Sequence, residues 1–184
     1  MSDDRDDREK DRGPWIHTWS GGRFHYLDPR VEEVILEDIA HALSLQCRFN
    51  GHVDEHYSVA EHSVLVADMV YSQTNDPTIA LAALLHDAAE AYIGDVVSPL
   101  KKLLAEYKDI ESRVETCVAS RFGVEYPWVE EIHVADKLIL NREFSSIAPF
   151  ADEDHACGTL SPKTAEKRFL QRFGYYSELM ESRG

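Results

Sequence analysis

His86 and Asp87 stand inside Ala82-Ala83-Leu84-Leu85-His86-Asp87-Ala88-Ala89-Glu90-Ala91, the most apolar stretch of the chain. An imidazole or carboxylate buried without a partner is strongly unfavourable, so each of these groups needs one. Neutral imidazole and carboxylate are good ligands for a divalent transition metal, which is one economical answer. On a helix, His86 and Asp87 project about 100° apart. Glu90 lies four residues beyond His86 and returns to the same face. A hydrogen-bonded His-Asp pair that merely holds a core together is the plainer alternative, and the dipeptide alone favours it.

Two further segments shift that balance. His62 sits in Ser58-Val59-Ala60-Glu61-His62-Ser63-Val64, beside the apolar face of an amphipathic stretch. Asp136 sits in Val134-Ala135-Asp136-Lys137-Leu138, also among apolar neighbours. His, His-Asp and Asp from three helices make a ligand set for one metal, with positions left open for water and substrate.

The elements that must position these groups read as helical in period. An apolar stripe of Val34, Ile35, Ile39, Ala42 and Leu43 predicts a helix over 31–46. A second is predicted over 58–72, with Ser58 as N-cap and Glu61 completing a capping box. Asn75-Asp76-Pro77 separates it from a third over 77–92, which Gly94 stops. Further helices are predicted near 99–122, 127–148 and 162–180. Before them, Trp19 to Phe24 reads as a short hairpin turning on Gly21-Gly22. Residues 1–12, almost wholly charged, read as a disordered leader, and 13–184 as one domain. The fold class is therefore all-α, a single helical bundle with a short N-terminal hairpin.

Composition narrows the function classes. With 34 acidic and 19 basic residues among 184, the formal charge is -15. That argues against nucleic acid or an anionic membrane as partner. A small anionic substrate stays compatible, given a metal or a few local cations. Cys47, Cys117 and Cys157 form no CxxC pair and read as buried or idle thiols of a reducing cytoplasm. No apolar run reaches the ~20 residues needed to span a bilayer, and Met1 to Arg12 is no signal peptide.

The ordered pattern His…His-Asp…Asp resembles the HD-domain metal-dependent phosphohydrolases. Ala-Glu-His-Ser at 60–63, His-Asp-Ala-Ala-Glu-Ala at 86–91, Gly-Asp at 94–95 and Ser-Pro-Leu-Lys at 98–101 are similar to their 5'-deoxynucleotidase branch. Asp38 to Ser44 and Cys47-Arg48-Phe49-Asn50-Gly51-His52 further resemble phage-type members, some of them dATP triphosphohydrolases. The resemblance implies His62, His86, Asp87 and Asp136 as ligands of a divalent metal (cobalt, manganese or zinc, with magnesium as a second ion). It implies Glu90 and Asp95 as the acids that orient or deprotonate the attacking water. Arg48 and Lys101 match cations near the substrate phosphate, although Lys101 equally fits a solvated helix start. Phe49 stands where that branch often carries a tryptophan against sugar or base, and His52 is a candidate pocket residue. The implied reaction is hydrolysis of the 5' phosphoester of a deoxyribonucleotide, with dNTP or dNMP as substrate. A cytoplasmic homo-oligomer, dimer or hexamer, is expected by analogy. A phosphodiesterase of cyclic nucleotides or (p)ppGpp, and a non-catalytic nucleotide sensor, are the alternatives.

Overall fold

The computed structural model describes residues 12–146 and 159–183. Two short antiparallel strands, β1 (Trp15–His17) and β2 (Arg23–His25), pair with Ile16 opposite Phe24. Their turn spans Thr18 to Gly22, and Gly21 takes a φ of 88° that favours glycine there. Phe24 is fully buried and stacks on Tyr92 at 3.8 Å between centroids, which fixes the hairpin to the helical core. Asp38 ties down the turn by accepting from the Ser20 N–H at 2.7 Å and its hydroxyl at 2.8 Å. Of the charged leader, only Arg12 lies among the described residues, and its guanidinium pairs with Asp28 and Glu33.

Among the described residues eight α-helices follow: α1 (Leu36–Leu45), α2 (Val59–Thr74), α3 (Pro77–Leu84), α4 (Glu90–Ile93), α5 (Ser98–Lys101), α6 (Ala105–Phe122), α7 (Glu130–Ser146) and α8 (Pro162–Arg183). The first helix starts later than its apolar stripe predicts. Val31–Glu33 forms one 3-10 turn, then Val34 and Ile35 run extended before α1 begins. Both are β-branched, which disfavours helix and suits an extended backbone. The predicted 99–122 helix likewise divides into α5 and α6. Ser58 caps α2 in the expected box, accepting from the Glu61 N–H while Glu61 accepts from the Ser58 N–H. Asp76 caps α3, with Pro77 in its first turn.

Helix α2 is central, packing against α1, α3, α7 and α8. Helix α8 lies across α1, α2 and α3 and closes the core with Phe169 and Tyr176, both buried. The Tyr176 hydroxyl donates to Asp68 at 2.7 Å, and Arg172 pairs with the same carboxylate. Among the described residues, no helix is long and apolar enough to cross a membrane.

Candidate metal centre

The His86-Asp87 pair is not on a continuous helix, contrary to the span predicted over 77–92. Helix α3 ends at Leu84, and residues 85–89 form tight turns before α4 starts at Glu90. The Ala83 carbonyl accepts from the His86 ring Nδ1 at 2.7 Å, and the backbone bonds tighten to the i→i+3 type, as from Leu85 to Ala82 and from Ala88 to Leu85. A side chain that takes a backbone acceptor competes with the regular helical ladder, and this is where the helix breaks. The sequence gives no sign of this break, because the turn holds no Gly or Pro and apolar residues flank it on both sides.

This turn faces His62 on α2 and Asp136 on α7. Ligand atoms of His62, His86 and Asp87 lie within 4.8 Å of one another. The Asp136 carboxylate joins them, 3.1 Å from His62 Nε2 and 4.0 Å from His86 Nε2. Asp87 Oδ2 is 3.6 Å from His62 Nε2 and 3.2 Å from His86 Nε2. All four residues expected as ligands therefore converge. Both histidines are buried, whereas the Asp136 side chain is 40% exposed and marks the open side.

The ring tautomers make this arrangement a test of fit. His86 Nδ1 donates to the Ala83 carbonyl, and His62 Nδ1 donates to Glu143 Oε1 at 2.7 Å. Each neutral ring then carries its lone pair on Nε2. Both Nε2 atoms are buried without a hydrogen-bond partner and are turned toward two carboxylates. Lone pairs facing anions repel unless a cation sits among them, so the donor set fits a divalent metal.

Glu143 went unnoticed in the sequence. It lies seven residues after Asp136, two turns along α7 and hence on the same face, which is the one signal that could have found it. Besides His62, its carboxylate accepts from the Tyr57 hydroxyl at 2.8 Å and from Arg48 at 3.2 Å. His62 and Arg48 together hold its pKa below the usual glutamate range, against the opposing effect of burial. Arg48 Nη1 also comes within 3.6 Å of Asp87, and its Nε is buried without a partner. Arg48 is placed by a backbone bridge between Cys47 and Ser58 at the start of α2. Gln46 was also missed. Its amide donates to the Glu90 carbonyl at 2.9 Å and its oxygen accepts from the Asp95 N–H at 3.1 Å, clipping both acids to the same wall.

Glu90 is buried, and burial, then the charges of Asp87 and Asp95, push its pKa well above the glutamate value. Its Oε2 has no partner, while Oε1 faces Lys101 at 3.5 Å. Asp95 is raised too, by burial and by Asp87, partly offset by Arg48. Lys101 bonds Glu111 at 2.6 Å, so its charge is shared between two carboxylates inside the site. Phe49 and Asn50 adopt left-handed φ of 57° and 53°, followed by Gly51 at 76°. Two such non-glycine residues in a row store strain beside the site. Phe49 packs on Phe144 at 5.0 Å, with the Arg48 guanidinium 5.4 Å from its ring. His52 is exposed at the end of this turn, and no hydrogen bond or ion pair among the described residues ties its ring to the cluster. The neighbouring His56 ring binds the Ser44 carbonyl at 3.0 Å.

Comparison with known proteins agrees with this geometry. Residues 36–129, a span that contains His62, His86, Asp87, Glu90 and Asp95, match the family described as 5'-deoxynucleotidase YfbR-like. The chain is 33% identical over 177 residues to the uncharacterized protein YfdR of Escherichia coli, covering 90% of this chain and 97% of that one. It is 37% identical over 151 residues to an uncharacterized protein of Rhodobacter capsulatus, covering 76% of each. An all-α fold with a His-His-Asp cluster between its helices is what a metal-dependent phosphohydrolase of this kind requires, and the chain belongs to the YfbR-like 5'-deoxynucleotidase family of the HD superfamily.

Proposed function

We propose that this protein hydrolyses the 5' phosphoester of deoxyribonucleotides, releasing phosphate from a dNMP or triphosphate from a dNTP such as dATP. One observation carries the reading: two buried imidazole Nε2 atoms, free of hydrogen-bond partners, face two carboxylates beside a buried arginine. His62, His86, Asp87 and Asp136 hold the divalent metal, with cobalt, manganese and zinc as the candidates. When bound there, such an ion supplies Lewis acidity and makes water a stronger acid.

The protein's own groups do the rest. Arg48 binds phosphate oxygens and offsets the charge that gathers on them. Glu90, made a stronger base by burial and by the charges of Asp87 and Asp95, takes a proton from the attacking water while Asp95 aims it. The water oxygen bonds to phosphorus as the bond to the 5' oxygen breaks, and the proton passes to the departing nucleoside. Lys101, whose charge favours the ionised form of Glu90, keeps that carboxylate available to accept the proton. Phe49 packs against sugar or base at the strained turn. The reading includes a cytoplasmic enzyme acting on a small nucleotide, as a homo-oligomer.

Incubation of the metal-loaded protein with dAMP, dATP and their ribose counterparts, separating phosphate from triphosphate, tests the reading. A deoxynucleoside product is expected with either substrate class, and its loss is expected in Asp87→Asn. Turnover that persists undiminished in Asp87→Asn after chelation would refute it.

A further inference from the structure

Glu143 is buried, with its side chain 3% exposed, and its two oxygens serve three donors. Oε1 accepts from His62 Nδ1 and the Tyr57 hydroxyl, and Oε2 accepts from Arg48 Nη2. A carboxylate behind a metal-binding histidine fixes which ring nitrogen carries the hydrogen and how the ring is turned. Glu143 does a second thing at the same time. Arg48 lies between Glu143 Oε2 at 3.2 Å and Asp87 Oδ2 at 3.6 Å, so the guanidinium divides its charge between Glu143 and a residue of the ligand cluster.

We propose that Glu143 is a positioning residue with two tasks: it presents the lone pair of His62 Nε2 to the metal, and it keeps the Arg48 guanidinium from competing with the metal for Asp87. The inference rests on the metal-centre reading above. Removal of the carboxylate frees the His62 ring to rotate or change tautomer. It also leaves Asp87 as the nearer anion for a buried cation. Both effects weaken the same ion.

The test measures cobalt(II) affinity of the full chain by titration calorimetry, together with the visible absorption spectrum of the cobalt-loaded protein. Wild type, Glu143→Gln, Glu143→Asp and Tyr57→Phe are compared after far-UV circular dichroism establishes that each is folded. Glu143→Gln is expected to raise the cobalt Kd by about 10–100-fold and to change the ligand-field bands. Glu143→Asp, which keeps the charge but shortens the reach, is expected to move in the same direction by less. Tyr57→Phe removes only the third donor and is expected to leave the Kd within about threefold, well short of that loss. Adding Arg48→Ala to Glu143→Gln is expected to recover part of the lost affinity.

Unchanged Kd and spectrum in both Glu143 variants would overturn the inference while leaving the metal centre intact. An equal loss in Tyr57→Phe would overturn it as well, tracing the effect to loosening of the buried cluster. Failure of Arg48→Ala to recover any affinity would remove the second task. A wild-type protein that binds no cobalt would overturn the metal centre itself.

Discussion

Replacing Glu90 by glutamine should stabilise the metal-free protein while abolishing turnover by the metal-loaded one. The Glu90 carboxylate is buried, one oxygen lacks a partner, and the charges of Asp87 and Asp95 oppose its ionisation. A buried polar group without its hydrogen bond costs about 1–3 kcal/mol, and more when charged. The pair with Lys101 at 3.5 Å returns part of that, but Lys101 keeps Glu111 at 2.6 Å in the variant. A net gain of about 1–3 kcal/mol at pH 8 is therefore expected, or roughly 2–4 °C in Tm for each kcal/mol at this chain length. The pH dependence fixes the cause. Because the folded pKa is raised, protonated Glu90 stabilises the fold fully below its unfolded value of about 4.3, and that contribution is lost as pH rises through the folded value. Glutamine imitates the protonated form at every pH. The advantage of the variant should therefore be largest at alkaline pH, shrink on acidification and vanish below about pH 4.3. Urea unfolding of wild type and Glu90→Gln in chelator, across pH 4 to 8, measures it. A gain that is absent at pH 8, or equal at every pH, would refute the reasoning.

Metal should raise stability by mass action. At a free ion concentration of 100 times Kd the gain is about 2.7 kcal/mol, or roughly 5–10 °C in Tm, and chelator should reverse it in a thermal scan. The Glu90→Gln advantage should narrow in the same buffer, since a cation beside Asp87 relieves part of the repulsion. In the core, Phe169→Ala should cost about 3–5 kcal/mol by denaturant titration, because the ring is fully buried. Leu103→Ala, at a side chain 80% exposed, should stay within about 0.5 kcal/mol.

Much of the fold was legible because apolar spacing and capping chemistry agree over long segments. Ser58 with Glu61, and Asp76 with Pro77, mark helix starts where the structure has them. Legibility failed where a side chain took over a backbone acceptor, as at His86 and Ala83, since no periodicity records such competition. It failed again at Val34 and Ile35, whose place in the apolar stripe hides their extended backbone. The buried ligands His62 and His86 were legible because an apolar environment cannot leave an imidazole unpartnered, whereas Asp136, with its side chain 40% exposed, was legible only through the ordered motif. Glu143 escaped notice because its neighbours Arg142 and Phe144 make it look like an ordinary surface position. Only the distant contacts with Tyr57, His62 and Arg48 give it meaning. The Lys101 contact with Glu111 was not legible either, because the partner lies ten residues on, across the boundary between α5 and α6.

Helix α8 comes last in the chain yet lies across α1, α2 and α3. A ribosome must therefore deliver every candidate ligand, from His62 to Asp136, before the segment that seals their scaffold exists. Until Phe169 and Tyr176 emerge, the apolar backs of three helices stay wet, and the polar groups of the centre lack a rigid frame. Competence to grip an ion is thus acquired late in synthesis, and a shortened chain that stops before residue 162 should present sticky surface instead of a working centre.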